Sequence, residues 1–322
     1  METIPKKSSQ SDKNIVAAVI QMVSGSDLSE NLRCAEELIF EAVNKGATLI
    51  LLPEVFAVLE SGENGLEKMV SCAQDYRGGG DDQITFLQQF LSEQASRHSV
   101  TLIGGTIPLN SRPSVDLNEF RGSNKPVVEL IKTSSIENAP NLIDRRVRAS
   151  CLVYSPDGSC IARYDKIHLF DVQVRDRQAE YSESLSYEPG EALVCANTNA
   201  GLVGLSVCYD IRFPELYRRL FAMGAKILTI PSAFTKVTGE AHWLALLRAR
   251  AIENQCFVLA AAQGGVHSDL RETFGRSAII DPWGEILTCL ESGPGCAVAT
   301  LNFSRLEEVR ASMPISNHMV LR

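Results

Sequence analysis

Residues 201–218 read Gly201-Leu-Val-Gly-Leu-Ser-Val-Cys208-Tyr-Asp-Ile-Arg-Phe-Pro214-Glu-Leu-Tyr-Arg218 and join an apolar run to the start of a helix. Val203 and Leu205 alternate with small residues, a pattern typical of a buried strand. Pro214 suits the first position of a helix, because its φ is already helical and no N–H is needed there. The stretch therefore predicts that Cys208 lies at a strand-to-helix turn.

A cysteine at such a turn has two interpretations. Its thiol projects beyond the sheet edge, close to backbone N–H groups that can stabilise a thiolate or an oxyanion, which suits a nucleophile. A lone cysteine at the end of an apolar strand is, however, more often a small buried apolar residue. The stretch around Cys208 leaves both interpretations open, and the rest of the chain must decide.

The composition limits the kind of protein. The chain has 322 residues, of which 45% are hydrophobic and 22% charged, as in ordinary globular domains. Its net charge of -8 argues against nucleic acid or an anionic membrane as a partner and leaves a small molecule. The nine cysteines form no CxxC pair, which argues against zinc and against a disulfide framework. We therefore expect a cytoplasmic protein without a metal.

The ends of the chain differ from its middle. Residues 1–13 are polar and lack the apolar segment of a secretory signal, so they predict a short disordered tail. No apolar run approaches the length of a membrane span. We expect one large domain over residues 14–314, followed by a C-terminal tail at 315–322.

Two segments of the chain resemble each other. Residues 46–56 and 224–234 align without a gap, and each reads Gly-Ala, a buried strand, and then Pro-x-x-Phe. A predicted strand and a helix precede both segments. The pattern predicts two similar α/β halves that pack together rather than two independent domains. Chance similarity of two buried strands is the alternative.

The remaining elements follow from apolar periodicity and turn residues. Pro156-Asp-Gly158 between two apolar runs predicts a hairpin. Residues 109–144 are polar and uneven, and we expect a surface excursion near the mouth of the site. The other predicted elements are strands at 15–22, 100–107, 149–154, 160–164, 256–262, 277–280 and 297–301, and helices at 29–45, 239–253 and 304–311.

A thiol nucleophile needs a base for its proton and donors for the oxyanion. His168 and His242 are the two histidines near candidate motifs, so a papain-like Cys/His pair is one hypothesis. Lys166 lies two residues before His168, although a lone lysine is most often a surface residue. Residue types alone do not choose between these groups.

Three sequence motifs, taken in chain order, indicate a function more specifically than these residue types do. They are Leu52-Pro-Glu54 at a strand end, Tyr164-Asp-Lys166-Ile-His-Leu-Phe-Asp171, and Val207-Cys208-Tyr-Asp-Ile-Arg-Phe-Pro-Glu215. Together they resemble the Glu-Lys-Cys signature of the nitrilase superfamily of carbon–nitrogen hydrolases, over about residues 15–314. The resemblance implies a four-layer α-β-β-α sandwich with two pseudo-symmetric halves. It also implies an amidase for linear amides, without a cofactor, that forms a homodimer.

The resemblance assigns roles to these three motifs. Glu54 becomes the general base that deprotonates Cys208, and Cys208 becomes the nucleophile that forms a thioester. Lys166, together with the backbone N–H of Tyr209, holds the oxyanion. A second glutamate is common after the lysine motif in this family. Glu183 matches that place best, and the alternatives are Glu180 and Glu188.

The likeness is greatest to family members whose amides carry carboxylates, so the pocket needs a further cation. Arg212 is the candidate, because a guanidinium binds a carboxylate through two hydrogen bonds. Its alternative role is an ion pair with Glu215 or another acid. Phe234, Thr235 and His242 are expected to line the site, although His242 fits a packing role equally well.

Three other functions remain as hypotheses. A catalytically silent binding or signalling protein would be expected to lack Glu54, Lys166 or Cys208, and the sequence keeps all three. A nitrile hydrolase shares the same three residues. A papain-like enzyme would depend on His168 or His242 instead of Glu54.

Overall fold

The computed structural model describes residues 15–59, 68, 70–76, 86–110, 125–131 and 146–320. The strands are β1 (Ile15–Gln21), β2 (Leu49–Leu51), β3 (Thr101–Ile103), β4 (Ile107–Leu109), β5 (Val127–Leu130), β6 (Arg148–Tyr154), β7 (Cys160–Asp165), β8 (Asp171–Gln173), β9 (Glu180–Ser182), β10 (Ala192–Thr198), β11 (Gly201–Leu205), β12 (Ile227–Thr229), β13 (Phe257–Ala260), β14 (Ala278–Ile280), β15 (Ile286–Cys289) and β16 (Gly295–Leu301). The helices are α1 (Leu28–Asn44), α2 (Phe86–His98), α3 (Pro214–Ala222), α4 (Lys236–Asn254), α5 (Phe303–Ser312) and α6 (Ile315–His318). The predicted tail at 1–13 lies outside these residues.

The predicted internal repeat is present in the backbone. Strands β1, β2 and β3 run parallel in one sheet, and β11, β12 and β13 run parallel in another. Equivalent positions in the two halves also make equivalent hydrogen bonds, which chance similarity of two strands does not explain. Thr48 N donates to Val16 O (2.8 Å) in the first half, as Lys226 N donates to Leu202 O (2.9 Å) in the second. Leu52 N likewise donates to Ile103 O, as Ile230 N donates to Leu259 O, both at 2.9 Å.

The two sheets face each other and carry helices outside. Successive side chains of a strand point to opposite faces, so each strand serves two layers. Leu49 and Leu51 belong to the core that also contains Leu205 and Ile227 of the second sheet. Ile50 instead joins the cluster beneath α1 and α2. Since α3 and α4 pack on the second sheet, the four-layer α-β-β-α sandwich is confirmed.

Each of the two large sheets has seven strands among the described residues. The first runs β16-β1-β2-β3-β6-β4, with β7 paired to β6, and the second runs β15-β14-β13-β12-β11-β10-β5. The first and last strands of the chain, β1 and β16, pair antiparallel from Ile15 with Leu301 to Gln21 with Gly295. Strands β8 and β9 form a separate hairpin.

One prediction about the middle of the chain needs correction, and part of another lies within the described residues. The single strand expected at 100–107 is two strands, β3 and β4, because the chain turns at Gly105, whose φ is +57°. A Cβ at Gly105 would lie 2.0 Å from the carbonyl oxygen of Pro53, so no other residue fits this close approach. In the excursion at 109–144, residues 127–130 form β5, which pairs with β10 at the edge of the second sheet.

The second half also differs in detail from the prediction. Helix α4 begins at Lys236 rather than 239, because the Thr235 hydroxyl accepts a hydrogen bond from Thr238 N and caps the helix. Strand β15 was not predicted at all. The hairpin of β6 and β7 is confirmed, with a hydrogen bond of 2.8 Å from Gly158 N to Ser155 O. Among the described helices, none combines the length and apolarity needed to cross a bilayer.

Candidate active site

Cys208 lies where the sequence predicts it, at the turn between β11 and α3. It begins a short 3₁₀ turn, Cys208–Arg212, and adopts a φ of +46°, which is strained for a residue with a Cβ. Its N–H donates to the carbonyl oxygen of Pro231 at 2.9 Å. Tyr209 follows as the second residue of the turn, where backbone N–H groups have no partner within the helix.

A fully buried carboxylate holds this turn in place. Asp210 accepts hydrogen bonds from Val207 N (2.8 Å) and from the Tyr164 hydroxyl (2.6 Å). It also accepts from His168 N (3.0 Å), and its Oδ1 lies 2.7 Å from His168 Nδ1. The His168 ring stacks on Phe213, with centroids 3.6 Å apart. His168 therefore contributes one ring nitrogen and a ring face to the support of the turn.

Lys166 follows β7 and is 1% exposed. Its ammonium donates to Glu54 Oε1 at 2.9 Å and to both Glu183 oxygens at 2.9 and 2.8 Å. Burial works against the charge, but the carboxylates of Glu183 and Glu54 outweigh it and raise the pKa of Lys166 well above its ordinary value. Lys166 is consequently a permanent cation at the base of the site.

Glu54 follows β2 and is 4% exposed. One carboxylate oxygen accepts from Lys166, and the other, Oε2, accepts from the backbone N–H of Ala233 at 2.8 Å. The Gln263 side chain donates to the Glu54 carbonyl oxygen at 3.1 Å. Residues of both halves thus fix the position and orientation of this carboxylate.

The thiol of Cys208 is held in its neutral form. Burial raises its pKa well above the ordinary value, and the Glu54 carboxylate raises it further. The charge of Lys166 and the Ala233 N–H oppose this rise of the pKa. A neutral thiol is a poor nucleophile, so Cys208 needs a base close by.

The structure brings one of the three candidate glutamates to Lys166. Glu183 begins a 3₁₀ turn after the β8–β9 hairpin, and its Oε2 also accepts from Phe170 N at 2.8 Å. Burial raises the pKa of Glu183, the Lys166 ammonium opposes that rise, and Glu54 reinforces it. Glu180 is exposed on the hairpin, whereas Glu188 pairs with Arg148 at 3.2 Å.

The predicted binding residues lie around the turn but contribute unequally. Arg212 Nη1 lies 3.3 Å from His242 Nδ1, and its guanidinium covers the Phe234 ring at 5.2 Å. It also lies 5.9 Å from the Tyr209 ring. The expected alternative, an ion pair with Glu215, is absent from the described ion pairs. Thr235 is 1% exposed and uses its hydroxyl to cap α4, which leaves it little to offer a substrate.

Sequence reasoning missed the second-half groups that hold Glu54. Ala233 acts through its backbone, so its side chain gives no signal. Gln263 lies in an apolar run, and a polar residue there is the one signal that could have revealed it. Within the described part of the chain, no group of His, Cys, Asp and Glu side chains is arranged to hold a metal.

Residues 16–311 match the family described as carbon-nitrogen hydrolase, and the chain belongs to this family of enzymes. Similar curated proteins are named deaminated glutathione amidase. The one from Synechocystis is 41% identical over 310 residues, covering 96% of this chain and 99% of that one. The one from Yersinia enterocolitica is 38% identical over 307 residues, covering 95% and 93%. The crystal structure of the C. elegans NitFhit protein has a TM-score of 0.75 and 30% identity, covering 95% of this chain and 65% of that one.

Proposed function

We propose that this chain hydrolyses the amide of deaminated glutathione, with water as the second substrate, to give 2-oxoglutarate and cysteinylglycine. The observation that carries the reaction class is the buried Lys166 ammonium, which two carboxylates hold beside the neutral Cys208 thiol. Such a group supplies a base, a fixed positive charge and a nucleophile in one place. The names of the similar proteins support the choice of substrate.

The first step is attack on the amide carbon. Glu54 takes the thiol proton of Cys208 as the sulfur forms a bond to the carbonyl carbon. The carbonyl oxygen becomes an oxyanion, which the Lys166 ammonium and the Tyr209 N–H stabilise. Because Lys166 is already charged and held by Glu54 and Glu183, it needs little rearrangement during the reaction.

The second step breaks the carbon–nitrogen bond. The oxyanion collapses, the amine leaves with the proton from Glu54, and the acyl group remains as a thioester on Cys208. Water then attacks the thioester while Glu54 takes its proton. The acid leaves, and the thiol regains its proton.

Arg212 supports a substrate with a carboxylate. Arg212 lies four residues beyond Cys208. Its guanidinium forms no ion pair with a carboxylate among the described residues. His242 and the faces of Phe234 and Tyr209 restrict its movement. An arginine that is held but unpaired is suited to accept a carboxylate of the substrate.

We also infer that the protein acts in the cytoplasm as a homodimer, without a cofactor and without nucleic acid or membrane as a partner. All nine cysteines are free thiols, which agrees with a reducing compartment. The net charge of -8 disfavours anionic partners. The homodimer rests on the family resemblance alone.

Product analysis by mass spectrometry tests the proposed reaction. The purified protein is given deaminated glutathione, 2-oxoglutaramate and a matched nitrile in separate reactions. Release of cysteinylglycine that Cys208→Ala abolishes and the control Cys289→Ala retains supports the proposal. Preference for 2-oxoglutaramate assigns the chain as an omega-amidase with the same chemistry, and preference for the nitrile assigns a nitrile hydrolase. No turnover of any substrate favours a silent binding or signalling protein.

The same assay distinguishes the proposed mechanism from a papain-like Cys/His pair. Replacing Glu54 by Gln removes the proposed base, and replacing His168 by Gln removes a support of the turn. Loss of activity in Glu54→Gln that greatly exceeds the loss in His168→Gln supports the proposed mechanism. The reverse order, or dependence on His242, favours a Cys/His pair.

A further inference from the structure

A second arginine approaches the site from the loop between β13 and β14. The Arg271 guanidinium donates from Nη2 to the carbonyl oxygen of Ala233 at 2.9 Å. It also covers the ring of Tyr181, with 4.7 Å from Cζ to the centroid. Ala233 binds Glu54 through its N–H, and Tyr181 lies two residues before Glu183. Arg271 thus contacts Ala233, which binds the Glu54 carboxylate, and Tyr181, on the hairpin that leads to Glu183.

The positive charge of Arg271 is not neutralised. Among the described ion pairs it has no carboxylate partner, and its Nε is buried without a hydrogen-bond acceptor. Arg148 also has a buried Nε without an acceptor, but its guanidinium lies 3.2 Å from the Glu188 carboxylate. A guanidinium with a free donor costs free energy unless a ligand completes its hydrogen bonds.

The direction of the reaction suggests which ligand that is. Glu54 gives its proton to the departing amine, so the leaving group departs on the side of this carboxylate. Ala233 binds that carboxylate, and Arg271 binds Ala233. Arg212 lies elsewhere, against Phe234 and His242. Arg271 and Arg212 thus contact different groups around the site.

We propose that Arg271 determines specificity for the leaving group by binding its carboxylate, while Arg212 binds a carboxylate of the acyl group. This inference rests on the proposed function. It explains why an amidase would favour an amide of a short peptide over a simple amide: the peptide amine carries a carboxylate and ammonia does not. A neutral leaving group gains nothing from Arg271.

A purely structural role for Arg271 predicts different behaviour. If the arginine only joined the loop at 265–273 to the β8–β9 hairpin, its removal would displace Glu54 or Glu183. That displacement would lower kcat for every substrate. Loss of a carboxylate anchor instead raises KM for substrates with a charged leaving group and leaves the others unchanged.

The test compares deaminated glutathione with its C-terminal carboxamide, in which the glycine carboxylate is neutral. For the unaltered protein we expect kcat/KM to favour the acid by roughly 10- to 100-fold, the range of a charged hydrogen-bonded pair. Arg271→Gln should abolish this preference by raising KM for the acid alone. Arg271→Lys should restore part of it, since the charge remains without the planar donors.

Three controls make the result decisive. Arg212→Gln should lower kcat/KM equally for both substrates, because both keep the acyl carboxylate. Arg305→Gln, which alters an exposed arginine in α5, should change neither, and thermal unfolding checks that Arg271→Gln is folded. Preference for the acid that persists in Arg271→Gln, or equal loss of kcat for both substrates, overturns the role of Arg271 while the amidase function stands. Failure of the unaltered protein to hydrolyse either compound overturns both.

Discussion

The ends of β2 and β12 occupy equivalent positions in the two halves but carry different chemistry. Pro53 and Pro231 follow the two strands, and the next residue is Glu54 in the first half and Ser232 in the second. Glu54 provides the carboxylate of the site, whereas the second half provides the Ala233 N–H that binds this carboxylate. The repeated backbone is thus a shared scaffold, in which the first half carries the carboxylate and the second half carries the N–H that binds it.

The ends of β1 and β11 show the same division with the roles exchanged. Ala17 and Val203 pair with equivalent residues of β2 and β12, and five residues later the chain reaches Met22 and Cys208. Met22 is 1% exposed and packs in the core. Cys208 instead adopts a positive φ that turns its side chain into the site. The fold therefore sets where a reactive group can lie, and single residues decide whether one does.

We expect the largest loss of activity from replacing Glu54, at the end of β2. Glu54→Gln keeps the shape of the side chain but removes the base, so kcat should fall by roughly 10²- to 10⁴-fold. Ser232→Ala alters the equivalent residue and should change kcat by no more than about twofold, because the hydrogen bond of the Ser232 hydroxyl within the described residues is long, 3.4 Å to Ile230 O. Steady-state kinetics measure kcat for both variants. Equal losses of kcat would show that the ends of β2 and β12 do not differ in their importance for the reaction.

The next largest effect concerns the second carboxylate on Lys166. Glu183→Gln leaves the ammonium with Glu54 alone, so we expect kcat to fall roughly 10- to 100-fold, since a misplaced catalytic group costs rate. Glu180→Gln, on the exposed side of the same hairpin, is the matched control and should have the activity of the unaltered protein. Equal effects of the two replacements would show that Glu183 does not position Lys166.

The sequence predicted the positions of Glu54, Lys166 and Cys208 at strand ends better than the surroundings of these residues. Glu54, Lys166 and Cys208 each follow an apolar strand, a local pattern that a sequence displays directly. The choice of Glu183 over Glu180 depends on a short hairpin and a 3₁₀ turn, whose geometry no periodicity encodes. Resemblance to a family selected Glu183, and the structure supplied the physical reason.

Close approaches between distant segments were beyond the reach of the sequence. The apolar run at 100–107 is consistent with one strand, and the break at Gly105 comes from contact with the carbonyl of Pro53. Thr235 looked like a pocket residue, because its role as a helix cap depends on where α4 begins. Arg271 lies in a polar loop and gained importance only from its contact with Ala233.

A smaller effect is expected on the pH dependence of stability, through His267 at the junction between the halves. His267 lies 2.7 Å from Ser24 O and 2.6 Å from Thr273 Oγ1, and burial lowers its pKa from 6.5 to about 4. Below pH 6.5 the unfolded chain takes up a proton that the folded chain does not, so the free energy of unfolding falls until about pH 4. We expect this loss to be on the order of 1–3 kcal/mol.

Urea unfolding between pH 7 and pH 4.5 measures this contribution of His267. Other groups titrate in the same range, so the informative quantity is the difference between two proteins. The stability of His267→Gln should fall less steeply with decreasing pH than that of the unaltered protein. Parallel pH profiles for the two proteins would show that His267 is not held neutral at the junction.

The smallest expected effect tests the symmetry of the halves directly. Gly46 and Gly224 are equivalent and have φ of +87° and +100°. A Cβ at Gly46 meets nothing within 4 Å, and one at Gly224 makes an ordinary contact of 3.4 Å with Leu202. Each Gly→Ala change should therefore cost about 1–2 kcal/mol from backbone strain alone. Unequal costs in denaturant unfolding would show that the repeat is less faithful than its hydrogen bonds indicate.

The pairing of β1 with β16 has a consequence for synthesis on the ribosome. Strand β1 is made early and finds its antiparallel neighbour among residues 295–301, which are made much later. Until those residues emerge, one edge of the first sheet offers unpaired N–H and C=O groups to other chains. A nascent chain stalled in its second half would thus be a candidate for holding by chaperones, even though its first half already contains Glu54.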